Sequence, residues 1–228
     1  MTGTFINVAA ILTGTALGMG VIGPLARRHQ TIVVQAVGLA VLLIGFRMAL
    51  GAEQLVIIII SLAMGAVLGE ELALEARLRR IGCWLETRFA GEGGDFVNGF
   101  MTATLVYCVG AMAIMGPLQD GLTGEYDILV AKSALDGVTA IAFASSMGIG
   151  VAFSIIPVFL YQGSITLLAH SLEPLLSPAA VSDMTATGGL LIVALGLNLL
   201  GITKLRVANL LPAILLAPVL VLLVAAIS

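Results

Sequence analysis

Charged side chains are rare in this sequence, and one pair of them falls at the edge of a long apolar run. Asp136 stands inside the run, and Lys132 precedes it by four residues, a spacing that puts both on one face of a helix. A carboxylate in hydrocarbon is costly, faces protein or water, and commonly marks a proton or ion pathway. We therefore predict that Asp136, near the outer membrane boundary, binds a proton or cation. A purely structural ion pair with Lys132 is the alternative.

Four amide side chains add hydrogen-bonding groups without adding charge: Asn7, Asn98, Gln162 and Asn198. An amide offers both donors and acceptors, so it can line a polar path. Together with Asp120 and Asp136 these amides form the predicted solute-binding or ion-binding set. For each amide taken alone, an ordinary hydrogen bond between helices, worth about 0.6–2 kcal/mol, is the alternative.

Glycine and proline interrupt the apolar runs. The stretch "GAMAIMGPLQDG" begins at Gly110 and contains Gly116–Pro117, where the proline removes a backbone donor. This predicts a kink, a helix end, or a half-helix that begins near Pro117, with Asp120 beyond it in an outer vestibule near Lys132 and Asp136. Gly148 lies in "SSMGIG", and we predict a deeper binding site where Gly110 and Gly148 oppose each other on two antiparallel helices.

The elements that must position these residues are membrane helices. The chain has 228 residues, of which 60% are hydrophobic and 10% charged, whereas about 25% are charged in soluble domains. Since about 20 apolar residues span a bilayer, we predict an all-α polytopic membrane protein whose single transmembrane domain covers residues 1–228. Eight apolar runs, called spans 1 to 8, cover residues 4–24, 31–50, 54–69, 96–118, 133–150, 151–169, 185–202 and 207–227.

Basic residues occur in alternate loops, which favours eight spans. Lys and Arg accumulate on the cytoplasmic side, and here they follow spans 1, 3 and 7: Arg27, Arg28, Arg77, Arg79, Arg80, Arg88, Lys204 and Arg206. This agreement requires residues 133–169 to cross twice and places both termini outside. A chain of seven spans, with part of 133–169 re-entrant, is the alternative.

Residues 70–92 read as an amphipathic helix rather than as a span. Apolar side chains recur there at spacings of three and four residues, while Arg and Glu fill the other face. Trp84 suits a membrane interface. We predict that this helix anchors the chain on the cytoplasmic surface of the membrane; a docking surface for a partner is the alternative.

Two spans repeat the same glycine pattern. Gly38 and Gly45 of span 2 have the spacing of Gly189 and Gly196 of span 7, with aliphatic residues between them. The same offset carries span 3 onto span 8, and a second offset relates span 1 to span 6. Because spans five steps apart run in opposite directions, we predict an inverted repeat of spans 1–3 and 6–8, as in many secondary transporters.

Glycines four residues apart predict close helix packing at two further places. They are Gly14 and Gly18 in span 1, and Gly65 and Gly69 in span 3. Such pairs let helix backbones approach each other closely. We expect this packing within the chain, with a homo-oligomer interface as the alternative.

Several long stretches resemble one bacterial membrane family. They include "GFMTATLVYCVGAMAIMGPLQDGL" (99–122), "VFLYQGSITLLA" (158–169) and "GLNLLGITKLRVANLLPAILLAP" (196–218). The family is the uncharacterised one known as domain of unknown function 554, and the resemblance covers nearly the whole chain. It implies a multi-spanning protein of the bacterial inner membrane, and it implies no substrate or catalytic residue.

Taken together, these features predict a secondary transporter of a small polar solute or ion in the lipid bilayer. The sequence has no HExxH, GxSxG or phosphate-binding loop and no basic tract. We therefore expect no enzymatic activity, catalytic residue, metal, cofactor or nucleic-acid partner. Two alternatives stay open: a channel, and a non-transporting scaffold or sensor subunit that uses residues 70–92 as its partner surface.

Overall fold

The computed structural model describes residues 1–22, 29–89, 95–173 and 176–227, and these residues form helices joined by short turns. The helices are α1 (Thr2–Leu17), α2 (Gln30–Ala49), α3 (Leu55–Glu71), α4 (Leu74–Phe89), α5 (Phe96–Cys108), α6 (Ala111–Leu122), α7 (Asp127–Met147), α8 (Gly150–Phe153), α9 (Ile155–Leu167), α10 (Ala169–Leu172), α11 (Pro178–Leu199) and α12 (Pro212–Ile227). A π-helical turn, Gly18–Ile22, extends α1, and a 3-10 turn, Val207–Leu210, precedes α12. Arg27, Arg28 and residues 90–92, which entered the topology predictions, lie outside the described residues.

The predicted all-α polytopic architecture is confirmed. Within the described residues, 6 helical segments are long and apolar enough to cross a membrane, and the number rises to 8 if two bent helix pairs each count as one span. The bent pairs are α3 with α4, at 55°, and α5 with α6, at 61°. The six segments are Thr2–Gly20, Thr31–Ala49, Asp127–Met147, Gly150–Leu167, Pro178–Leu199 and Val207–Val224.

Two helices begin earlier than their predicted spans. The fifth span begins at Asp127 rather than at residue 133, and the seventh begins at Pro178 rather than at residue 185. Charged residues ended the apolar runs, but the helices continue through them because the charges have partners inside the fold. The start of α11 has a local cause, since Ser177 accepts a hydrogen bond from the Ala180 N–H and Pro178 occupies the first turn.

The contacts divide the chain into two compact units, and each is described by itself. The first unit consists of Met1–Val37, Leu78–Cys108 and Met112–His170. The second consists of Gly38–Arg77, Val109–Ala111 and Ser171–Ser228. The single transmembrane domain and the inverted repeat stay predictions.

In the first unit, α1 and α7 lie side by side and run parallel. A Cβ atom at Gly14 would fall 2.2 Å from the carbonyl oxygen of Gly137, and one at Gly18 would fall 2.4 Å from that of Ile141. The two backbones therefore touch without intervening side chains. The predicted packing of Gly14 and Gly18 within the chain is confirmed.

The helix α9 runs antiparallel to α1, since the Phe5 and Phe159 rings lie 5.5 Å apart and Gly163 approaches the Met1 side chain. It is therefore antiparallel to α7 as well. Residues 127–147 and 150–167 form two separate helices that return on each other, as the prediction of two crossings requires. Both are long enough to span, which disfavours the seven-span alternative.

The second unit is built from two antiparallel helix pairs. In α2 and α11, a Cβ at Gly45 would lie 2.9 Å from the Gly189 carbonyl oxygen. The helix α3 packs in the same way against α12 and the 3-10 turn that precedes it. A Cβ at Gly69 would lie 1.8 Å from the Asn209 carbonyl oxygen, and a Cβ at Gly65 would meet the backbone of Ala213. The predicted packing of Gly65 and Gly69 within the chain is therefore also confirmed.

The amphipathic helix predicted for residues 70–92 corresponds to α4. Its buried face presents Leu85 to a cluster formed with Phe96, Val97, Phe100 and Met101. Ile81, beside this face, and Trp84, on the other side of the helix, are exposed. The predicted amphipathic helix is confirmed, although Leu85 is the one buried side chain of its apolar stripe and Ile81 and Phe89 are exposed. Its position on the cytoplasmic membrane surface stays a prediction.

The backbone contact between α1 and α7 gives a direct test of this packing. We expect Gly14→Ala to lower the free energy of unfolding by about 1–3 kcal/mol, because the added methyl group overlaps a main-chain oxygen that has no rotamer to change. Gly20→Ala is the matched control, since nothing lies within 4 Å of a Cβ placed there. Thermal unfolding of the purified protein in detergent measures both; equal midpoints for the two variants would contradict the packing.

Candidate functional site

A buried ion pair lies halfway along α7. The Lys132 ammonium contacts the Asp136 carboxylate, and the two residues are 5% and 6% exposed. Asp136 is the tenth of the 21 residues of α7, about 13 Å from the start of the helix, and its predicted location near the outer membrane boundary stays a prediction. Lysine before aspartate is also the less favourable order for a pair in an isolated helix, so helix propensity does not explain it.

Side chains from two other helices of the first unit surround the pair. The ammonium of Lys132 lies 5.8 Å from the ring centroid of Tyr107 on α5, within the range of a cation–π interaction. The Tyr107 ring stacks on Phe143, with centroids 6.1 Å apart. Asn7 of α1 lies against the Asp136 carboxylate. We call these four residues, Asn7, Tyr107, Lys132 and Asp136, the polar cluster.

The polar cluster has hydrogen-bonding capacity that the protein does not use. Asn7 is fully buried, but neither its amide nitrogen nor its amide oxygen completes a hydrogen bond of normal geometry. The buried Tyr107 hydroxyl does not complete one either. A buried polar group without a partner costs about 1–3 kcal/mol. Other buried side-chain atoms of the described first unit that lack a partner belong to Thr4, Thr15, Thr104, Gln119 and Gln162.

Asp120 has a structural partner instead of a place in an open vestibule. Its Oδ1 accepts a hydrogen bond from the amino group of Met1 at 2.7 Å, and its Oδ2 accepts one from the Gly3 N–H at 3.1 Å. A carboxylate at the start of a helix satisfies free N–H groups and interacts favourably with the helix dipole. Both oxygens of this buried residue are therefore engaged by α1, and the outer-vestibule role predicted for Asp120 is corrected to a cap.

The predicted amides separate into three environments. Gln162 is fully buried on α9 in the first unit, near the start of α1. Asn98 is exposed in the first turn of α5, where it donates to Asp95. Asn198 holds the loop after α11, since its Oδ1 accepts from the Leu205 N–H and its Nδ2 donates to the Leu205 carbonyl. Only Asn7 lies at the ion pair, because tertiary contacts rather than residue type decide where each amide points.

The chain leaves the helix at both predicted glycines. Gly110 has a φ of +127° and separates α5 from α6, whereas Pro117 lies inside α6. The interruption of the fourth span therefore falls at Gly110, and the half-helix predicted to begin near Pro117 begins at Ala111 instead. Gly148 has a φ of +78° and forms the turn between α7 and α8. Gly148 therefore ends α7 and does not interrupt the middle of a helix.

Sequence reasoning missed the role of Asp183, which it assigned to a loop. This residue is fully buried as the sixth of the 22 residues of α11. Its Oδ1 accepts hydrogen bonds of 3.0 Å from the N–H groups of Glu53 and Gln54, at the start of α3. The helix-start signal Ser177–Pro178 identifies Asp183 as a residue of the first turns of a helix, but its partner far away in the sequence was not predictable.

A second polar arrangement in the second unit is fully used by the fold. Asn209 accepts a hydrogen bond from the Glu75 N–H at 2.7 Å and donates to Glu70 at 2.6 Å, and the Ala208 N–H donates to Glu75 at 2.9 Å. Arg206 pairs with the other oxygen of Glu70. These bonds join the start of α4 to the turn before α12. Unlike the polar cluster, this arrangement is explained by structure alone.

The class of protein is clear from these features: an α-helical membrane protein with several spans and a buried, charged polar cluster in one of its units. Residues 2–222 match the family described as "Protein of unknown function (DUF554)". The chain belongs to this family, which confirms the resemblance seen in the sequence.

Two relatives align over almost their whole length. The chain is 33% identical over 225 residues to "Uncharacterized membrane protein YdfK" of Bacillus subtilis (strain 168), which covers 97% of this chain and 96% of the relative. It is 34% identical over 220 residues to "Uncharacterized protein YqgA" of Escherichia coli (strain K12), covering 94% of each. No solved structure matches the chain significantly.

The buried ion pair predicts a characteristic pattern of stabilities. Lys132→Met and Asp136→Leu should each lower the free energy of unfolding by about 3–5 kcal/mol, because each leaves a buried charge without its partner. The double variant should recover most of that loss. Arg206→Gln is the control for a pair that is more than half exposed, and we expect a cost of about 0–1 kcal/mol. Denaturant or thermal unfolding in detergent checks the pattern; additive losses in the double variant would contradict it.

The cap at α3 predicts a graded response at Asp183. Asp183→Asn keeps an acceptor oxygen for the N–H groups of Glu53 and Gln54, whereas Asp183→Leu leaves both without a partner. We expect Asp183→Leu to be less stable than Asp183→Asn by about 1–3 kcal/mol in thermal unfolding. The control Glu53→Gln alters an exposed charge in the same loop and should change little. Equal stability of the two Asp183 variants would show that the hydrogen bonds are unimportant.

Proposed function

We propose that this membrane protein is a secondary transporter of a small polar solute or ion, and that the polar cluster binds the transported species. The observation that carries the proposal is the buried pair of Lys132 and Asp136, halfway along an apolar helix, next to polar atoms that lack partners. Charged groups inside a membrane are costly and usually belong to ion, proton or substrate pathways.

A proton on the Asp136 carboxylate is the proposed coupling event. Protonation removes the charge of the carboxylate and weakens its attraction for the Lys132 ammonium, so the side chains of the cluster become free to bind a solute. Asn7 and the Tyr107 hydroxyl then supply hydrogen bonds without charge. In this proposal Gln162, near the start of α1, forms part of the approach to the cluster.

The glycine contacts of the second unit support the predicted inverted repeat. The predicted repeat pairs Gly38 with Gly189 and Gly45 with Gly196. A two-fold rotation that exchanges the paired residues turns a contact between Gly38 and Gly196 into a contact between Gly189 and Gly45. Both contacts are present, with Cβ positions 3.1 Å and 2.9 Å from the facing carbonyl oxygens. Inverted repeats are a common architecture of secondary transporters. We further propose the bacterial inner membrane as the location, with both termini outside, on the basis of the alternating basic loops.

Reconstituted vesicles test the proposal. Purified protein is incorporated into liposomes that contain a pH-sensitive dye, and gradients of glycine, potassium gluconate, sodium nitrate and sodium methanesulfonate are imposed in turn. We expect at least one gradient to move protons faster than in protein-free liposomes. Asp136→Asn should abolish that proton movement, because the amide cannot be protonated in the same way.

Asp127→Asn is the matched control, since it removes an exposed carboxylate from the same helix. It should behave as the unsubstituted protein does. Counterflow of labelled solute separates a carrier from a channel, because a channel is open at both ends at once. Vesicles in which no gradient moves protons or solute would contradict the transporter proposal and favour the scaffold alternative. Normal coupling in Asp136→Asn would remove Asp136 from the mechanism.

A further inference from the structure

We infer that the species bound by the polar cluster is a small monoanion, which pairs with Lys132 while a proton occupies Asp136. This inference rests on the proposed function and names the substrate class of the same site. Proton and anion would then cross the membrane together, in a symport that moves no net charge. The cation site expected from the sequence is the competing interpretation.

The hydrogen-bonding groups of the polar cluster favour an acceptor-rich ligand. The Lys132 ammonium has three donors and no acceptor, and one of them is used on Asp136. The Asn7 amide, which lies against Asp136, and the Tyr107 hydroxyl, which lies near Thr139, contribute donors that complete no hydrogen bond of normal geometry. Once protonated, the Asp136 carboxyl group also becomes a donor. Four groups can therefore donate, and a small anion supplies the acceptors they need.

Charge balance leads to the same class of ligand. In the structure the positive charge of Lys132 is neutralised by Asp136. When a proton from solution binds a lone pair of the Asp136 carboxylate, the ion pair is lost and no covalent bond breaks. The charge of Lys132 is then left uncompensated in a buried site. An anion on Lys132 restores neutrality. The empty site and the doubly occupied site are both neutral, whereas either partly occupied site holds a buried net charge, which is strongly unfavourable. Proton and anion binding are therefore coupled.

The other titratable groups near the cluster do not change this balance. They are Tyr107 and Cys108 on α5, and Tyr161 on α9, which lies close to Cys108. Their protonated forms carry no charge. The facing residue of α1 is Asn7, an uncharged amide. Among the described residues of the first unit, Asp120 is also buried, but both of its oxygens are bound at the start of α1.

A cation would produce the opposite proton movement. It would bind at Asp136 and displace Lys132, which must then lose a proton to avoid two neighbouring positive charges. Anion binding takes up a proton from solution, whereas cation binding releases one. The sign of the proton change on binding therefore distinguishes the two classes of ligand.

The experiment measures proton uptake by the purified full-length protein in detergent and weak buffer. The probes are sodium chloride, nitrate, formate and methanesulfonate, with sodium gluconate as the control for the cation. We expect uptake of about one proton per bound anion for at least one probe, and an affinity for that anion that falls about tenfold for each unit of pH above neutrality. Lys132→Gln should lose binding, and Lys132→Arg should retain it.

Asp136→Asn should bind the same anion without proton uptake and with an affinity that no longer depends on pH. Lys204→Gln, which removes an exposed lysine of the second unit, is the control and should match the unsubstituted protein. A cooperative thermal unfolding transition of Lys132→Gln in the same detergent shows that its loss of binding is not a failure to fold. The inference is overturned if none of the four anions causes uptake, if sodium gluconate causes proton release, or if Lys132→Gln binds normally.

The two proposals fail in different ways. Vesicles that couple protons to glycine or potassium through Asp136, with no anion binding in detergent, would leave the transporter proposal standing and would remove the anion. Anion binding with proton uptake in detergent, but without flux in vesicles, would support the ligand class and contradict transport.

Discussion

A charge that is removed from water is strongly unfavourable unless the protein supplies a partner for it. In the first unit the contact between Lys132 and Asp136 supplies that partner. The pair lies on α7, but its surroundings come from elsewhere in the sequence. Tyr107 arrives from α5 and Asn7 from α1. Helices far apart in the chain therefore have to meet around one neutralised pair, and a change in the protonation of Asp136 alters what holds them there.

The other buried aspartates satisfy the same constraint in a different way. Asp120 and Asp183 each accept two hydrogen bonds from the start of a helix that is remote in sequence. The charge of Asp120 is balanced by the Met1 amino group at the start of α1, and that of Asp183 by two free N–H groups at the start of α3. These residues fix the ends of α1 and α3. The polar cluster differs from both sites, since its carboxylate pairs with a lysine side chain of the same helix.

Much of the architecture could be predicted because it depends on local patterns. The apolar runs, the amphipathic stripe of α4 and the four-residue glycine spacings are properties of short segments, and the structure confirms all three. Helix ends were less predictable. Hydropathy falls at charged residues, so the start of α7 was placed after Lys132, although the helix begins at Asp127.

The functional residues were predicted only in part, because their roles depend on contacts between distant segments. Asp136 was identifiable from its place in an apolar run, but the contact of the ion pair with Tyr107 was not. Asn7 and Asn198 are the same residue type in similar surroundings of sequence, yet one lies at the ion pair and the other closes a loop. The break at Gly110 was among the predicted ones, but the choice between Gly110 and Pro117 depended on packing that the sequence does not specify.

The glycine contacts between α1 and α7 also restrict how the first unit can move. Helices separated by a layer of side chains can slide, because rotamers adjust as the interface shears. Here main chain rests on main chain at Gly14 and at Gly18, and no rotamers are available to absorb a displacement. The two helices should therefore move as a single rigid body that carries Asn7, Lys132 and Asp136 together. Any opening of the site must then come from the helices that pack against this body, such as α5 with Tyr107 and α9 with Gln162.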